Sequence, residues 1–159
     1  MSTVRVPLYL PGGMKGSYYN AAEKPAGTAR GRRYIWLTNA ADSALTYSGM
    51  PKLDSTYTSG TLKLKAVVSC PTAGDAQLLA RVMATADGED AETDAFGAEI
   101  LSSATTLTAD DEFTIEIDIS SGVAAGDTVS VVFGRNTGIA SDVADKLKVW
   151  SAWLEYTTP

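Results

Sequence analysis

Apolar and polar residues alternate with a period of two along most of this 159-residue chain. Successive side chains of a β-strand point to opposite faces of a sheet, so each run predicts a strand with one apolar and one mostly polar face. The clearest runs are residues 4–10, 62–70, 113–119 and 129–133. Less regular runs predict further strands at residues 33–38, 43–47, 76–86, 95–101 and 146–156.

The segments between these runs are rich in Gly, Pro, Ser, Thr, Asn and Asp, the residues that turns favour. About eight or nine short strands at this spacing predict an antiparallel β-sandwich with little helix. Residues 77–83 have a helix-friendly composition, but their short length and strand-like flanks favour a strand. We expect a single domain in which residues 1–33 form an N-terminal strand and an extended arm or loop, and residues 34–159 form the sandwich.

The composition removes the commonest catalytic chemistries. The chain has no histidine, so it lacks the Ser–His and Cys–His nucleophile pairs and the usual neutral-pH general base. Its single cysteine, Cys70, falls in the apolar register of residues 62–70, which favours a buried small hydrophobe over a nucleophile. No segment reaches the roughly 20 apolar residues of a transmembrane helix, and the N-terminus lacks the apolar centre of a signal peptide. We therefore expect no enzyme activity, no cofactor, no metal and no membrane partner.

Charge is distributed unevenly along the chain. Residues 1–81 contain ten Lys or Arg and four Asp or Glu, whereas residues 82–134 contain twelve Asp or Glu and no Lys or Arg. One interpretation is that the acidic loops are simply solvated, and the other is that a basic arm contacts an acidic surface of a partner. In the second interpretation the partner-binding residues are Arg30, Arg32, Arg33, Lys15 and Lys24. Nucleic acid is not an expected partner, because this basic cluster is small and the net charge is −6.

Carboxylates suggest two chemistries, and the sequence favours neither. The acidic segment 87–94 could offer oxygen ligands to calcium, but it lacks the spacing of a helix-loop-helix calcium loop, so a hydrated hairpin loop is favoured and calcium binding stays open. Glu116 with Asp118, or Asp110 with Asp111, could serve glycoside hydrolysis, which needs one carboxyl with a raised pKa. Glu116 and Asp118 share the polar face of one predicted strand, where solvated carboxylates are the simpler interpretation.

Tryptophans suggest a third kind of site, one that binds sugars. Trp36, Trp150, Trp153 and the seven tyrosines could form a platform for stacking sugar rings, as in carbohydrate-binding β-sandwiches. Trp150 and Trp153 are three residues apart, so a regular strand would place them on opposite faces of its sheet. They could not then form one flat platform, and packing in the core is favoured for one of them.

The second half of the chain follows a distinctive order of motifs. A strand (113–119) is followed by a turn with Gly126-Asp127, an apolar strand closing in Arg135-Asn136, a loop of small and Asp residues (138–145) and an aromatic last strand (149–156). Upstream, Met50-Pro51 and the run 60–65 supply a small turn, a glycine and a long strand. This order resembles short β-rich virion proteins of tailed bacteriophages, in which an Asp is frequent at the position of Asn136.

The resemblance covers about residues 50–156 and implies a jelly-roll sandwich. It implies a virion role as a capsid decoration (cement) protein, a head-fibre base or a minor tail component, with decoration preferred. The implied partners are further copies of the chain, with a trimer expected, and the major capsid protein or other virion proteins. The implied location is the capsid surface, after synthesis in the host cytoplasm. The alternative is a carbohydrate-binding or receptor-binding module of a tail or head fibre, and a carboxylate-based glycosidase ranks third.

Overall fold

The computed structural model of this chain describes residues 1–8, 35–37, 44–47, 52–89 and 94–159. These residues form ten β-strands, and none of them lies in a helix. The strands, in chain order, are β1 (Ser2–Leu8), β2 (Ile35–Leu37), β3 (Ala44–Tyr47), β4 (Lys63–Ser69), β5 (Gly74–Thr85), β6 (Ile100–Leu101), β7 (Thr105–Leu107), β8 (Phe113–Asp118), β9 (Thr128–Asn136) and β10 (Leu147–Thr158).

The strands form two five-stranded sheets. Sheet A has the order β1-β10-β4-β8, with β2 also paired to β10, and sheet B has the order β3-β9-β5-β6, with β7 also paired to β5. The pairings between these strands are antiparallel. The chain crosses between the sheets from β2 through β5 and again from β8 through β10, which is the winding of a jelly roll. The predicted antiparallel β-sandwich is confirmed.

Apolar side chains from both sheets fill the space between them. The alternation predicted for β4 and β8 is confirmed, because buried residues alternate with more exposed ones along each strand. In β9 the predicted apolar face is buried, but Ser130 and Gly134 on its other face are buried as well. Each large apolar side chain removed from water contributes about 1.5–3 kcal/mol to stability. Cys70 is completely buried, in agreement with its predicted role as a small hydrophobe. The fully buried apolar side chains include Leu37, Leu62, Leu64, Leu78, Ile119, Phe133 and Leu147.

Sheet B departs from the predicted strands in two places. The predicted strand at residues 95–101 is wrong for most of its length, because only Ile100–Leu101 pairs with β5. Residues 95–99 are exposed and join β5 through one backbone hydrogen bond, from Gly97 N–H to the Val82 carbonyl at 2.8 Å, and the side-chain ion pair of Glu99 with Arg81, rather than through a ladder. Strand β7 was not predicted, since three residues are too few for an alternation to be visible. The strand predicted at residues 77–83 is confirmed as part of β5.

The N-terminal strand is part of the sandwich. β1 pairs with β10 from Ala152 to Thr158, and β2 pairs with β10 from Leu147 to Val149. Both lie on the side of β10 that is opposite β4, so the two short strands together border sheet A. The arm predicted for the remainder of residues 1–33 lies outside the described residues.

A buried ion pair holds the loop between β9 and β10. Arg135 is completely buried, and its Nε and Nη2 donate to the two carboxylate oxygens of Asp142 at 3.2 and 2.7 Å. Its guanidinium also donates to the backbone carbonyls of Asp145, at 2.7 Å, and Val143. The neighbouring Asn136, which stands where an Asp is frequent in the resembling proteins, instead donates to Gln77 Oε1 at 2.6 Å. The Asp-rich loop thus supplies the partner of the arginine.

Candidate functional site

A β-bulge in β10 brings two tryptophans to the same face of sheet A. The register of β10 against β4 shifts between Val149 and Ser151, which leaves Trp150 as the extra residue. The extra residue of a bulge shifts the alternation of a strand by one position. Side chains that face the core therefore have odd residue numbers on one side of the bulge and even residue numbers on the other. Leu147 and Val149 are buried before the bulge, and Ala152, Leu154 and Tyr156 are buried after it.

The prediction that Trp150 and Trp153 lie on opposite faces is therefore wrong. Both indoles are half-buried on the outward face of sheet A. The reason is physical: the parity argument holds for a regular strand, and the bulge interrupts it between the two residues. A signal was present in the sequence, because the apolar positions of β10 change from odd to even numbers at this point. Trp36 lies in β2, where its backbone pairs with Lys148.

Each indole is fixed by contacts with neighbouring strands. Trp150 Nε1–H donates to Ser69 Oγ, at the end of β4, at 2.9 Å. The Arg5 guanidinium of β1 lies 5.9 Å from the centre of the Trp153 ring, within the range of a cation–π contact. Trp153 Nε1–H also donates to Glu155 Oε2 at 3.4 Å. We call Trp150, Trp153, Arg5, Lys65 and Glu155 the tryptophan face.

Ion pairs cross sheet A beside Trp153. Glu155 of β10 accepts from Arg5 Nε of β1 at 2.8 Å and from Lys65 Nζ of β4 at 2.6 Å. Lys65 Nζ also lies 3.4 Å from Glu116 of β8, and Lys63 Nζ contacts the same carboxylate at 2.8 Å. The row therefore runs through β1, β10, β4 and β8, which are four of the five strands of sheet A. Lys65 and Glu155 at its centre are 19% and 15% exposed, so they are partly shielded yet still reachable by a ligand.

The ion pairs fix the charge state of this surface. The hydrogen bond from Lys65, followed by the one from Arg5, lowers the pKa of Glu155 from 4.5 to about 2. The reciprocal bond to Glu155 raises the pKa of Lys65. Both groups are consequently charged across the whole physiological pH range, and the tryptophan face offers fixed donors and acceptors beside two aromatic rings.

The carboxylates considered for glycoside hydrolysis behave differently from a general acid. The hydrogen bond from Lys63 lowers the pKa of Glu116, and hydrogen bonds from Ser120 lower the pKa of Asp118. A general acid needs a shift in the other direction. Asp110 and Asp111 lie in the exposed turn between β7 and β8. The interpretation of Glu116 and Asp118 as exposed carboxylates on the polar face of a strand is confirmed.

Other predicted sites are only partly covered by the described residues. The predicted partner-binding residues, Arg30, Arg32, Arg33, Lys15 and Lys24, lie outside them, as do residues 90–93 of the acidic segment. Within that segment, Asp87 pairs with Lys52. Across the described part of the chain, no cluster of three or more His, Cys, Asp or Glu is arranged to hold a metal ion. The same part contains no helix long and apolar enough to cross a membrane.

Comparisons with known proteins give a structural likeness without a sequence family. No protein-family model matches the chain, and no curated protein matches it. The family 30 carbohydrate-binding module of the cellulosomal cellulase Cel9D-Cel44B of Clostridium thermocellum is similar in structure, with a TM-score of 0.51 and 14% identity, over 99% of this chain and 98% of that one. A second family 30 carbohydrate-binding module has a TM-score of 0.45 and 17% identity, over 100% of both chains.

At 14% identity the first likeness supports the β-sandwich fold alone. This likeness gives no link to phage proteins, so the virion role implied by the resemblance stays a prediction. The trimer, the capsid partner and the location on a capsid surface stay predictions.

Proposed function

We propose that this chain is a carbohydrate-binding module, a β-sandwich without catalytic function that holds a polysaccharide against its tryptophan face. The observation that carries the proposal is the bulge at Trp150, which turns two indoles toward the same outward surface. An indole offers a large rigid apolar surface, which suits the apolar face of a sugar ring. The N–H groups of both indoles already donate to Ser69 and Glu155, and these bonds hold the rings in place.

The spacing of the two indoles suits an extended chain of sugars. Three residues of a strand span about 10 Å, so Trp150 and Trp153 lie one after the other along β10 rather than side by side. An oligosaccharide that follows β10 would cover both rings. It would also pass over Glu155, two residues beyond Trp153 on the same face.

The charged groups beside the rings supply the polar part of the site. Glu155 accepts hydrogen bonds and Lys65 donates them, and each already holds the other in place at 2.6 Å. A polar group that is positioned before the ligand arrives loses little conformational entropy on binding. A site with a few fixed polar groups beside aromatic surface has the usual composition of a ligand site.

Binding to polysaccharides tests the proposal. We would measure affinity electrophoresis and isothermal titration of the chain against neutral β-glucans, xylan, mannan and chitin oligosaccharides. We expect at least one to bind, and we expect Trp153→Ala or Trp150→Ala to weaken it by roughly tenfold, about 1.4 kcal/mol, because truncation of an aromatic anchor typically costs this much.

Phe96→Ala is the matched control, since Phe96 is an exposed aromatic residue outside sheet A. Its affinity should equal that of the unmodified chain. Equal thermal unfolding of all variants would show that any loss of binding does not come from loss of the fold. Absence of binding to every polysaccharide, or unchanged binding by both tryptophan variants, would refute the proposal.

A further inference from the structure

The hydrogen-bond register shows which backbone groups of β8 face away from sheet A. β8 forms one border of this sheet, and β4 is the strand with which it pairs. Alternate residues of an antiparallel border strand direct their N–H and C=O groups to the neighbour, and the others direct them outward. Ile119 N–H donates to the Leu62 carbonyl at 3.0 Å, directly after the β4–β8 ladder. Ile115 and Ile117, at even distances from Ile119, therefore also bond to β4.

The alternate residues Thr114, Glu116 and Asp118 consequently present their backbone N–H and C=O groups at the free side of β8. Within the described ranges no strand pairs with this side. The border at the other end of sheet A is different, because β1 contains Pro7, which has no N–H to donate and is a common protection of border strands. β8 has no proline. The two borders thus differ in their capacity to accept an added strand.

A cleft of about 360 Å³ lies beside the free side of β8. It is bounded by residues 114–118 of β8 and by Leu101, Ser102, Ser103 and Thr105 at the border of sheet B. β6 and β7 pair with β5 over only two and three residues, which leaves this end of the sandwich incompletely closed. The cleft contains apolar surface from Leu101 and from β8, and its volume falls within the range of ligand sites. It can receive the inward side chains of an added strand.

The charges on and near β8 indicate what kind of strand could pair with it. Residues 110–118 include five carboxylates and no Lys or Arg. Lys63 and Lys65 pair with Glu116, whereas the Asp118 carboxylate accepts from Ser120 Oγ at 2.6 Å. A second copy that paired through the same strand would bring like charges opposite one another, which is unfavourable. A basic strand would instead meet the carboxylate of Asp118 and that of Glu116, which it would share with Lys63 and Lys65.

We propose that β8 is a docking border for an extended basic segment of another protein, which adds to sheet A as an antiparallel strand. Directly opposed residues in such a pair share one face. The residues opposite Thr114, Glu116 and Asp118 are then Lys or Arg, and the intervening residues are apolar and enter the cleft. This proposal does not depend on the tryptophan face.

The end-blocked peptide Lys-Val-Lys-Val-Lys-Val is a suitable test molecule. Because the lysines lie opposite Thr114, Glu116 and Asp118, their own N–H groups point to β8, and the valine N–H groups point away. Methylation of the three lysine nitrogens of the backbone should weaken binding by roughly tenfold or more, since it removes several hydrogen bonds and leaves every charge in place. Methylation of the valine backbone nitrogens is the matched control and should preserve binding.

Amide hydrogen exchange provides a second measurement on the unmodified chain. The peptide should slow exchange at Thr114, Glu116 and Asp118, and change little at Ile115 and Ile117, which already bond to β4. The same peptide with glutamate in place of lysine should not bind. The proposal is overturned if the basic peptide does not bind, if both methylated peptides bind equally, or if protection appears elsewhere and not at these three amides.

Discussion

Arg135 and Arg5 each donate hydrogen bonds to a carboxylate, but Arg135 does so inside the sandwich and Arg5 does so on its outer face. The side chain of Arg135 is 0% exposed and that of Arg5 is 67% exposed, although their partners, Asp142 and Glu155, are both 15% exposed. A buried charge that loses its partner is costly, whereas an exposed pair contributes little to stability. The same chemical pair therefore anchors a loop in one place and shapes a candidate binding face in the other.

The largest effect is expected for the buried pair. Asp142→Ala would leave the Arg135 guanidinium buried without its counter-charge, so we expect a loss of about 3–5 kcal/mol in the free energy of unfolding. Urea denaturation would measure it. Glu99→Ala is the control, because Glu99 pairs with Arg81 on the surface at 3.6 Å and should change stability by less than about 0.5 kcal/mol. Similar losses in the two variants would erase the distinction between buried and exposed pairs.

The next largest loss of stability is expected at Gly74, where the loop held by Arg135 packs against β5. Gly74 has a φ of 151°, and a Cβ at this position would lie 3.2 Å from the Val143 Cα and 3.3 Å from the Ser141 carbonyl oxygen. We expect Gly74→Ala to cost about 2 kcal/mol, because backbone strain and overpacking add. The control is Gly60→Ala, which has a positive φ of 79° but open space around the new methyl group. If thermal unfolding shows the same loss for both, the loop is not packed as described.

Much of the fold could be predicted because it depends on local alternation. β4 and β8 were predicted from their apolar residues, and the burial of Cys70 followed from its register alone. Arg135 follows Val131 and Phe133 at the same two-residue spacing, so the alternation also indicates that its side chain points into the core. Its partner was not, since Asp142 and Asp145 both lie in the loop and only the folded backbone decides which carboxylate reaches the guanidinium.

The candidate site was harder to predict than the fold. The change from odd to even apolar positions in β10 signals a break in the alternation, but the placing of the extra residue at Trp150 depends on how β10 pairs with β4, which is a property of two strands rather than of one. The ion pairs of Glu155 join β1 and β4, which are separated by more than fifty residues in sequence. Alternation locates such side chains on a face, but strand order decides which of them meet.

A smaller effect on stability is expected from the loss of the Glu155 charge at low pH. The folded pKa of Glu155 is about 2, below its usual 4.5, so the ionised carboxylate stabilises the fold above about pH 4.5 and this contribution is lost as the pH falls toward 2. Glu155→Gln should lower the melting temperature at pH 7 by roughly 2–4 °C, the shift for about 1 kcal/mol in a domain of this size. The difference between the variant and the unmodified chain should shrink as pH falls from 4.5 to 2. A constant difference over this range would show that Glu155 stabilises by something other than its charge.

The smallest effect on stability is expected at Arg5, and it separates the two roles of an arginine–carboxylate pair most directly. Arg5→Ala leaves Glu155 still paired to Lys65, so the free energy of unfolding should fall by less than about 0.5 kcal/mol. The indole of Trp153 nevertheless loses a cation 5.9 Å from its ring centre, and its Nε1–H resonance should shift while that of Trp150 stays in place. Arg5→Lys keeps the charge without the planar guanidinium, so an intermediate shift is expected. A large loss of stability, or an equal shift of both indole signals, would mean that Arg5 acts as a structural anchor as Arg135 does, and the contrast between the two pairs would fail.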